Sequence, residues 1–193
     1  TRGPGDAFEE YWLALARLHG TALDQLPFLQ STIDGERIRA SYNGGFIIAR
    51  RERKLLSRWA DLFSHSVEAG LRPYRGHDVA IVASTGYVGR KASEYWGSNQ
   101  AALAIVAWAD VADRVVHYPA SYNVPLHLLA ERGAIDPTWR EVPPVHVHYH
   151  WMFDPDKYEM ALELLEQLNV PGEKLAWLAR RIPLLSRSSS GVS

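Results

Sequence analysis

The stretch SNQAALAIVAWAD, residues 98–110, predicts a helix that begins at Ser98. A serine at this position can cap the helix, because its hydroxyl accepts a hydrogen bond from the exposed backbone N–H groups of the first turn. Asn99 and Gln100 lie in that first turn, where backbone amides and side chains can reach a ligand. An ordinary helix start explains the same residues, and without further information we favour it.

Segments on both sides of this helix alternate between helical and extended patterns. Helical patterns occupy residues 6–20, 51–70, 122–133, 154–168 and 172–182. Extended patterns occupy residues 44–51, 114–119 and 142–153, and residues 31–40 predict a β-hairpin that turns at Asp34-Gly35. We therefore predict an α/β fold, with a mixed sheet of four or five short strands flanked by helices, as one domain or half-domain over residues 1–185. Residues 186–193 are predicted to form a flexible tail.

The balance of charge and the absence of cysteine exclude several classes of protein. The chain has 21 basic and 22 acidic side chains and a formal net charge of −1, so no overall field favours nucleic acid. No run of eighteen apolar residues predicts a membrane span. Without cysteine the chain has no disulfides, thiolate zinc sites or cysteine nucleophiles, which is compatible with the cytoplasmic location that we expect.

Three histidines occupy alternate positions of VPPVHVHYHWMF, residues 142–153: His146, His148 and His150. In a strand they share one face, and the opposite face carries Val145, Val147 and Tyr149. At a rise of about 3.3 Å per residue, neighbouring imidazoles on one face are roughly 7 Å apart. Two of them can share a metal ion about 2.1 Å from each nitrogen, whereas three cannot unless the strand bends. The residues alone leave a metal or phosphate site and a solvated polar face equally open.

Two tyrosine–asparagine pairs lie at junctions between predicted elements: Tyr42-Asn43 and Tyr122-Asn123. Gly44 and Gly45 follow the first pair, and they either let a ligand approach the backbone or form a bend. An asparagine amide can both donate to and accept from a hydroxyl group, as a sugar site requires. A turn at the first pair and a helix cap at the second remain the simpler interpretations.

These segments occur in one order along the chain: YNGGFIIAR, an amphipathic helix, SNQAALA, HYPASYNVPLH and HVHYHWMF. The order resembles the C-terminal half of GT-A-type nucleotide-diphospho-sugar transferases, of the glycogenin and galactosyltransferase kind. In that family a buried strand begins Asn-x-Gly, a helix carries Asp-Gln, a Leu-Pro-x-x-Tyr/Trp-Asn segment follows, and a late strand carries a histidine before an aromatic residue. The resemblance covers residues 8–182 and rests on order and spacing rather than on any single motif.

The resemblance implies roles for the matching residues. Asn43 and Gly45 match the Asn-x-Gly of the sugar-donor pocket, Asn99-Gln100 matches the catalytic Asp-Gln pair, and Asn123 matches the later asparagine. The neighbouring Tyr42, Gly44 and Tyr122 would contribute to substrate binding, and Trp96 or Trp151 would stack on the acceptor. His148, followed by Tyr149, would help to hold a catalytic divalent metal, Mn²⁺ or Mg²⁺, with His146 or His150 as alternative ligands.

Two departures from the family pattern shape what we expect. Asn99 stands where the family has aspartate, so the charge needed for a nucleophile or base is absent there. The family's N-terminal half, with its nucleotide-binding strands and Asp-x-Asp, has no counterpart before Phe8. Because Mn²⁺ and Mg²⁺ prefer several oxygen ligands, one histidine cannot hold them. The remaining ligands would come from the N-terminal half of the same protein or from a second chain, which would act with this chain on a nucleotide sugar donor and an acceptor.

A non-catalytic binding or assembly module that uses the histidine and aromatic side chains is the alternative. A small metal hydrolase ranks last, because the only carboxylates near the histidines in sequence are Glu141, Asp154 and Asp156.

Overall fold

A computed structural model describes residues 3–31, 35–42, 46–76, 82–83, 86–87, 89–131, 138–148, 152 and 156–189. By its internal contacts the chain divides into two compact units. The amino-terminal unit comprises Thr1–Val82 and Tyr87–His117, and the carboxyl-terminal unit comprises Ala83–Gly86 and Tyr118–Ser193.

Helices dominate both units. In chain order they are α1 (Glu9–His19), α2 (Leu55–Glu68), α3 (Arg90–Ser93), α4 (Ser98–Asp110), α5 (Leu126–Glu131), α6 (Thr138–Glu141), α7 (Tyr158–Gln167) and α8 (Gly172–Ser189). The strands are β1 (Phe28–Gln30), β2 (Arg37–Arg39), β3 (Val82–Ala83) and β4 (Gly86–Tyr87), in the two pairs β1–β2 and β3–β4. The general α/β class is therefore as predicted. Within the described part of the chain, however, two separate strand pairs take the place of one mixed sheet.

Helix α4 is the centre of the amino-terminal unit. Its residues from Ala101 to Ala107 are all buried, and it packs against both α1 and α2. Alanines at positions 101, 102, 104 and 107 have no side chain beyond Cβ, so neighbouring helices can approach closely. Leu15 and Trp12 of α1 and Leu62 of α2 complete the core. The sequence interpretation of α2 is confirmed here, because Leu55, Trp59 and Phe63 also pack against this core.

The predicted hairpin is present with a longer loop than expected. Strands β1 and β2 are antiparallel, with Phe28 opposite Arg39 and Gln30 opposite Arg37. Ser31 and Glu36 close the loop through a 2.8 Å backbone hydrogen bond, and Gly35 has a φ of 66°. Only glycine adopts this left-handed conformation without steric cost, which explains its place in the turn.

Two predicted strands are not found. Residues 46–50 of the 44–51 stretch pair with no strand among the described residues, and Ile48 is 66% exposed. The segment around Val116, itself 77% exposed, is also irregular. Both stretches are apolar enough for a strand, but no neighbouring segment among the described residues pairs with their backbone. Apolar composition alone therefore misled the prediction at these two places.

The carboxyl-terminal unit is built on α5 and α7, which pack together, while α8 packs on α7. Leu126, Leu129, Leu164 and Leu165 are buried in it. Pro125 immediately precedes α5, where its fixed φ suits the start of a helix. Helix α8 continues to Ser189, past the predicted start of the tail at residue 186. Within the residues that the structure describes, no helix combines the length and the apolar character that crossing a bilayer requires.

Candidate functional site

A parallel β-bridge joins the second tyrosine–asparagine segment to the histidine segment in the carboxyl-terminal unit. Val124 pairs with Val147, and its N–H donates to the His146 carbonyl at 3.0 Å. The His148 N–H donates in turn to the Val124 carbonyl at 2.8 Å. Two segments more than twenty residues apart in sequence are thus adjacent in space. The predicted strand over residues 142–153 is reduced, among its described residues, to the single bridge at Val147.

The alternation predicted for the histidine segment is present around this bridge. Val145 and Val147 line an apolar groove of about 590 Å³ together with residues of α7 and α8. His148, on the other side, is 8% exposed, and its ring lies 6.0 Å from that of His127 at an interplanar angle of 39°. His127 belongs to α5 and was not among the sequence candidates, because nothing in its local sequence shows that the bridge brings His148 beside it.

Two polar atoms beside the histidines are buried without a hydrogen bond to any described part of the chain, Oγ of Ser121 and Oδ1 of Asn123. Asn123 immediately precedes Val124, whose backbone hydrogen-bonds to both His146 and His148. A buried carbonyl oxygen without a partner costs free energy, and a bound ligand or metal would remove that cost. We refer to His127, His148 and Asn123 as the imidazole–amide site.

An exposed aromatic pair adjoins this site in sequence. The rings of Tyr118 and Tyr122 are 4.7 Å apart, tilted by 34°, and Tyr118 is 47% exposed. An exposed tyrosine ring such as that of Tyr118 offers an apolar face on which a sugar or a base can stack. Tyr122, a predicted substrate-binding residue, therefore lies where contact with a ligand is possible.

The predicted catalytic pair Asn99-Gln100 lies in the first turn of α4, in the amino-terminal unit. Gly97 rather than Ser98 is the residue before this helix, and the Ser98 hydroxyl donates to the Tyr95 carbonyl at 2.6 Å. The predicted serine cap is therefore wrong. The Asn99 side chain accepts a 2.9 Å bond from the Gln100 backbone N–H, which ties it into the helix start. Trp96, just before the helix, is 40% exposed and remains available for stacking.

Tyr42 is the centre of a second polar cluster in the amino-terminal unit. The indole N–H of Trp108 donates to the Tyr42 oxygen at 2.6 Å, and the same oxygen lies 2.8 Å from Nε2 of His117. Since the indole nitrogen can only donate, the Tyr42 oxygen accepts from Trp108, and the direction of the bond between Tyr42 and His117 depends on the imidazole tautomer. Burial raises the pKa of Tyr42 to about 12, opposed by the bond from Trp108. Neither Trp108 nor His117 was a sequence candidate.

Several candidates lie outside the described residues: Asn43, Gly44, Gly45, His150 and Trp151. Their predicted roles stay predictions.

The imidazole–amide site matches a nitrogen-preferring metal better than Mn²⁺ or Mg²⁺. Within the described ranges no three residues among His, Cys, Asp and Glu converge closely enough to hold a metal ion. His127 and His148 offer two imidazoles, and Asn123 offers one amide oxygen, whereas Mn²⁺ and Mg²⁺ prefer several carboxylate or water oxygens. The described residues do not by themselves form the predicted Mn²⁺ or Mg²⁺ site.

No family model, no curated protein and no solved structure matches this chain.

Proposed function

We propose that this chain is the acceptor-side and metal-side part of a glycosyltransferase that uses a nucleotide diphosphate sugar. The fold would then correspond to the C-terminal half of a GT-A enzyme, in a cytoplasmic protein. The motif order in the sequence motivates this proposal, and the Val124–Val147 bridge is the structural observation that supports it. The family resemblance requires the Tyr-Asn segment and the histidine segment to contribute to one site, and the bridge makes these two segments neighbours.

The roles follow from the chemistry of the groups. Asn123, with Asn43 and Gln100, would hydrogen-bond hydroxyls of the donor sugar, because an amide both donates and accepts. Tyr122, or Trp96, would stack on a sugar ring. His148 would contact the diphosphate or its metal ion, which supplies positive charge to the leaving group when bound. Asn99 carries no charge, so a nucleophile or base would have to be another residue.

Saturation-transfer NMR with nucleotide diphosphate sugars tests this proposal on the chain itself. If this chain contacts the sugar and diphosphate while another part of the enzyme holds the base, saturation should be strongest on the sugar protons. Asn123→Ala should abolish the transfer, and Gln167→Ala, which removes an exposed amide of the same unit, should retain it. Transfer mainly to base protons, or transfer to the sugar that Asn123→Ala leaves unchanged, would contradict the proposal.

A second candidate function, a non-catalytic module that binds a transition metal, is favoured by the His127–His148 contact. Their rings are 6.0 Å apart, within reach of a shared ion with nitrogen bonds of about 2.1 Å. Calorimetric titration with Zn²⁺ should then show binding that is lost in both His127→Ala and His148→Ala. His65→Ala, which removes an exposed imidazole of α2, is the control and should not change it. Zinc binding without any transfer to nucleotide sugars would favour this second candidate over the first.

A further inference from the structure

The first ten residues of helix α8, the part whose side chains the structure describes, are mostly exposed. The helix packs on α7, and only Leu175 and Leu178 are half-buried among its residues 173–181. Trp177 is 49% exposed although tryptophan is among the side chains that gain most from burial. Trp177, which also lines the groove beside Val145 and Val147, therefore presents a large aromatic surface to which a partner could bind.

The charge of α8 indicates the chemistry of that partner. The whole chain has a formal net charge of −1, but residues 172–189 contain four basic residues, Lys174, Arg180, Arg181 and Arg187, and a single acidic one, Glu173. Lys174, Arg180 and Arg181 are all exposed. An anionic partner is therefore complementary to this helix, although the net charge of the whole chain does not favour one.

The exposed side chains are arranged as a stripe along one side of the helix. Lys174, Trp177 and Arg181 are spaced three and four residues apart, so they lie above one another over two turns. The Arg181 guanidinium lies 4.5 Å from the centre of the Trp177 ring, which confirms that these two share a side. We call Lys174, Trp177 and Arg181, with Arg180 beside them, the basic stripe.

We propose that the basic stripe docks α8 on the surface of an anionic lipid bilayer. Helices that lie in the headgroup region combine lysine and arginine with tryptophan and leucine, because the cations pair with lipid phosphates while the indole ring occupies the boundary between headgroups and acyl chains. In α8 the exposed Trp177 lies on the same side as Lys174 and Arg181, so one side of the helix can present both the cations and the indole ring to the lipid surface. The helix rests on the surface and does not cross it.

A second basic segment provides a demanding control. Residues 50–54, RRERK, include the exposed Arg51 and Arg53. The nearest tryptophan, Trp59, is half-buried in the amino-terminal core, and its N–H donates to the Asn99 carbonyl. The double variant Arg51→Glu/Arg53→Glu changes the charge as much as Arg180→Glu/Arg181→Glu does. A comparison of the two variants therefore separates a specific surface from net charge.

Co-sedimentation with vesicles tests this proposal. The full chain should bind vesicles of phosphatidylcholine with phosphatidylserine, bind phosphatidylcholine alone weakly, and dissociate as salt is added. Arg180→Glu/Arg181→Glu should weaken binding about tenfold or more, and Arg51→Glu/Arg53→Glu should change it much less. Brominated lipids should quench part of the tryptophan fluorescence, and that part should be missing in Trp177→Phe.

Any of three results with vesicles would overturn the proposal. They are equal binding to the two kinds of vesicle, an equal loss in both double variants, and bilayer quenching that Trp177→Phe leaves unchanged. Equally tight, salt-sensitive binding to duplex DNA would show a general affinity for polyanions and would also overturn it. Circular dichroism of each variant verifies that the helical content is retained, and Trp177→Phe, which keeps an aromatic ring, gives a readout that does not depend on charge reversal.

Discussion

At the scale of single residues, Tyr42 holds together parts of the amino-terminal unit that are distant in sequence. Its hydroxyl accepts from Trp108 of α4 and contacts His117. Tyr42→Phe leaves the Trp108 N–H without its acceptor, so we expect a loss of about 1–2 kcal/mol in the free energy of unfolding. Urea denaturation measures it. Tyr158→Phe is the control, because the Tyr158 hydroxyl makes only a 3.5 Å contact with Glu159, and a change of equal size there would contradict our assignment.

The protonation of Tyr42 gives a separate expectation for alkaline pH. Burial raises the pKa of Tyr42 to about 12, from the usual value near 10. The folded state therefore holds this proton more tightly than the unfolded state does, and the stabilisation is complete below pH 10 and declines as the pH rises towards 12. Between these limits the stability of Tyr42→Phe should fall less steeply than that of the unmodified chain. Parallel curves from denaturation at several pH values would show that Tyr42 titrates normally.

The imidazole–amide site shows which contacts a sequence pattern can predict and which it cannot. Alternation alone predicted that Val145 and Val147 share a side that His148 does not, and both valines do line one groove. The contact between His127 and His148 was not predictable, because it depends on the bridge between Val124 and Val147. Pairing between distant segments is set by packing in the whole unit, and no short-range pattern reports it. Trp108 and His117 were missed for the same reason.

At the scale of elements, α4 contributes more residues than any other described helix to the buried core cluster of the amino-terminal unit. Ile105 is fully buried in it. Ile105→Val should cost about 0.5–1.5 kcal/mol and Ile105→Ala about 2–5 kcal/mol, because the second change leaves a cavity that the packed helices cannot close. Val116→Ala, at a position 77% exposed, should stay within about 0.5 kcal/mol. If Ile105→Ala behaved like Val116→Ala in thermal unfolding, α4 would not be the core helix.

Helices were predicted better than strands, and the reason is physical. The hydrogen bonds of a helix close within four residues, so the apolar spacing in α1, α2 and α7 and the composition of α4 were sufficient evidence. A strand needs a partner, and the partner is a distant segment. Phe46–Arg50 and the residues around Val116 resemble strands, yet among the described residues they pair with nothing. The β1–β2 hairpin was recognised because its partner lies only a few residues away.

At the scale of the whole molecule, each unit has its own buried residues. The core around Leu15 and Ile105 belongs to the amino-terminal unit, and the cluster around Leu126 and Leu165 belongs to the carboxyl-terminal unit. The candidate groups are divided in the same way, with Tyr42, Asn99 and Gln100 in the first unit and Asn123 and His148 in the second. The glycosyltransferase proposal needs groups from both units, whereas the metal-binding module and the basic stripe need the second unit alone.

Native-state hydrogen exchange tests whether this division is also energetic. Each unit buries its own apolar side chains, so each should open as a cooperative group of amides. Ile105→Ala should speed exchange in α1, α2 and α4, and Leu165→Ala, at a position 1% exposed in α7, should speed it in α5 and α7. Sites without shared neighbours act additively, so the double variant should show the sum of the two patterns. If either single substitution accelerated exchange equally in both sets of helices, the chain would open as one cooperative unit, and the carboxyl-terminal unit could not be assigned a function of its own.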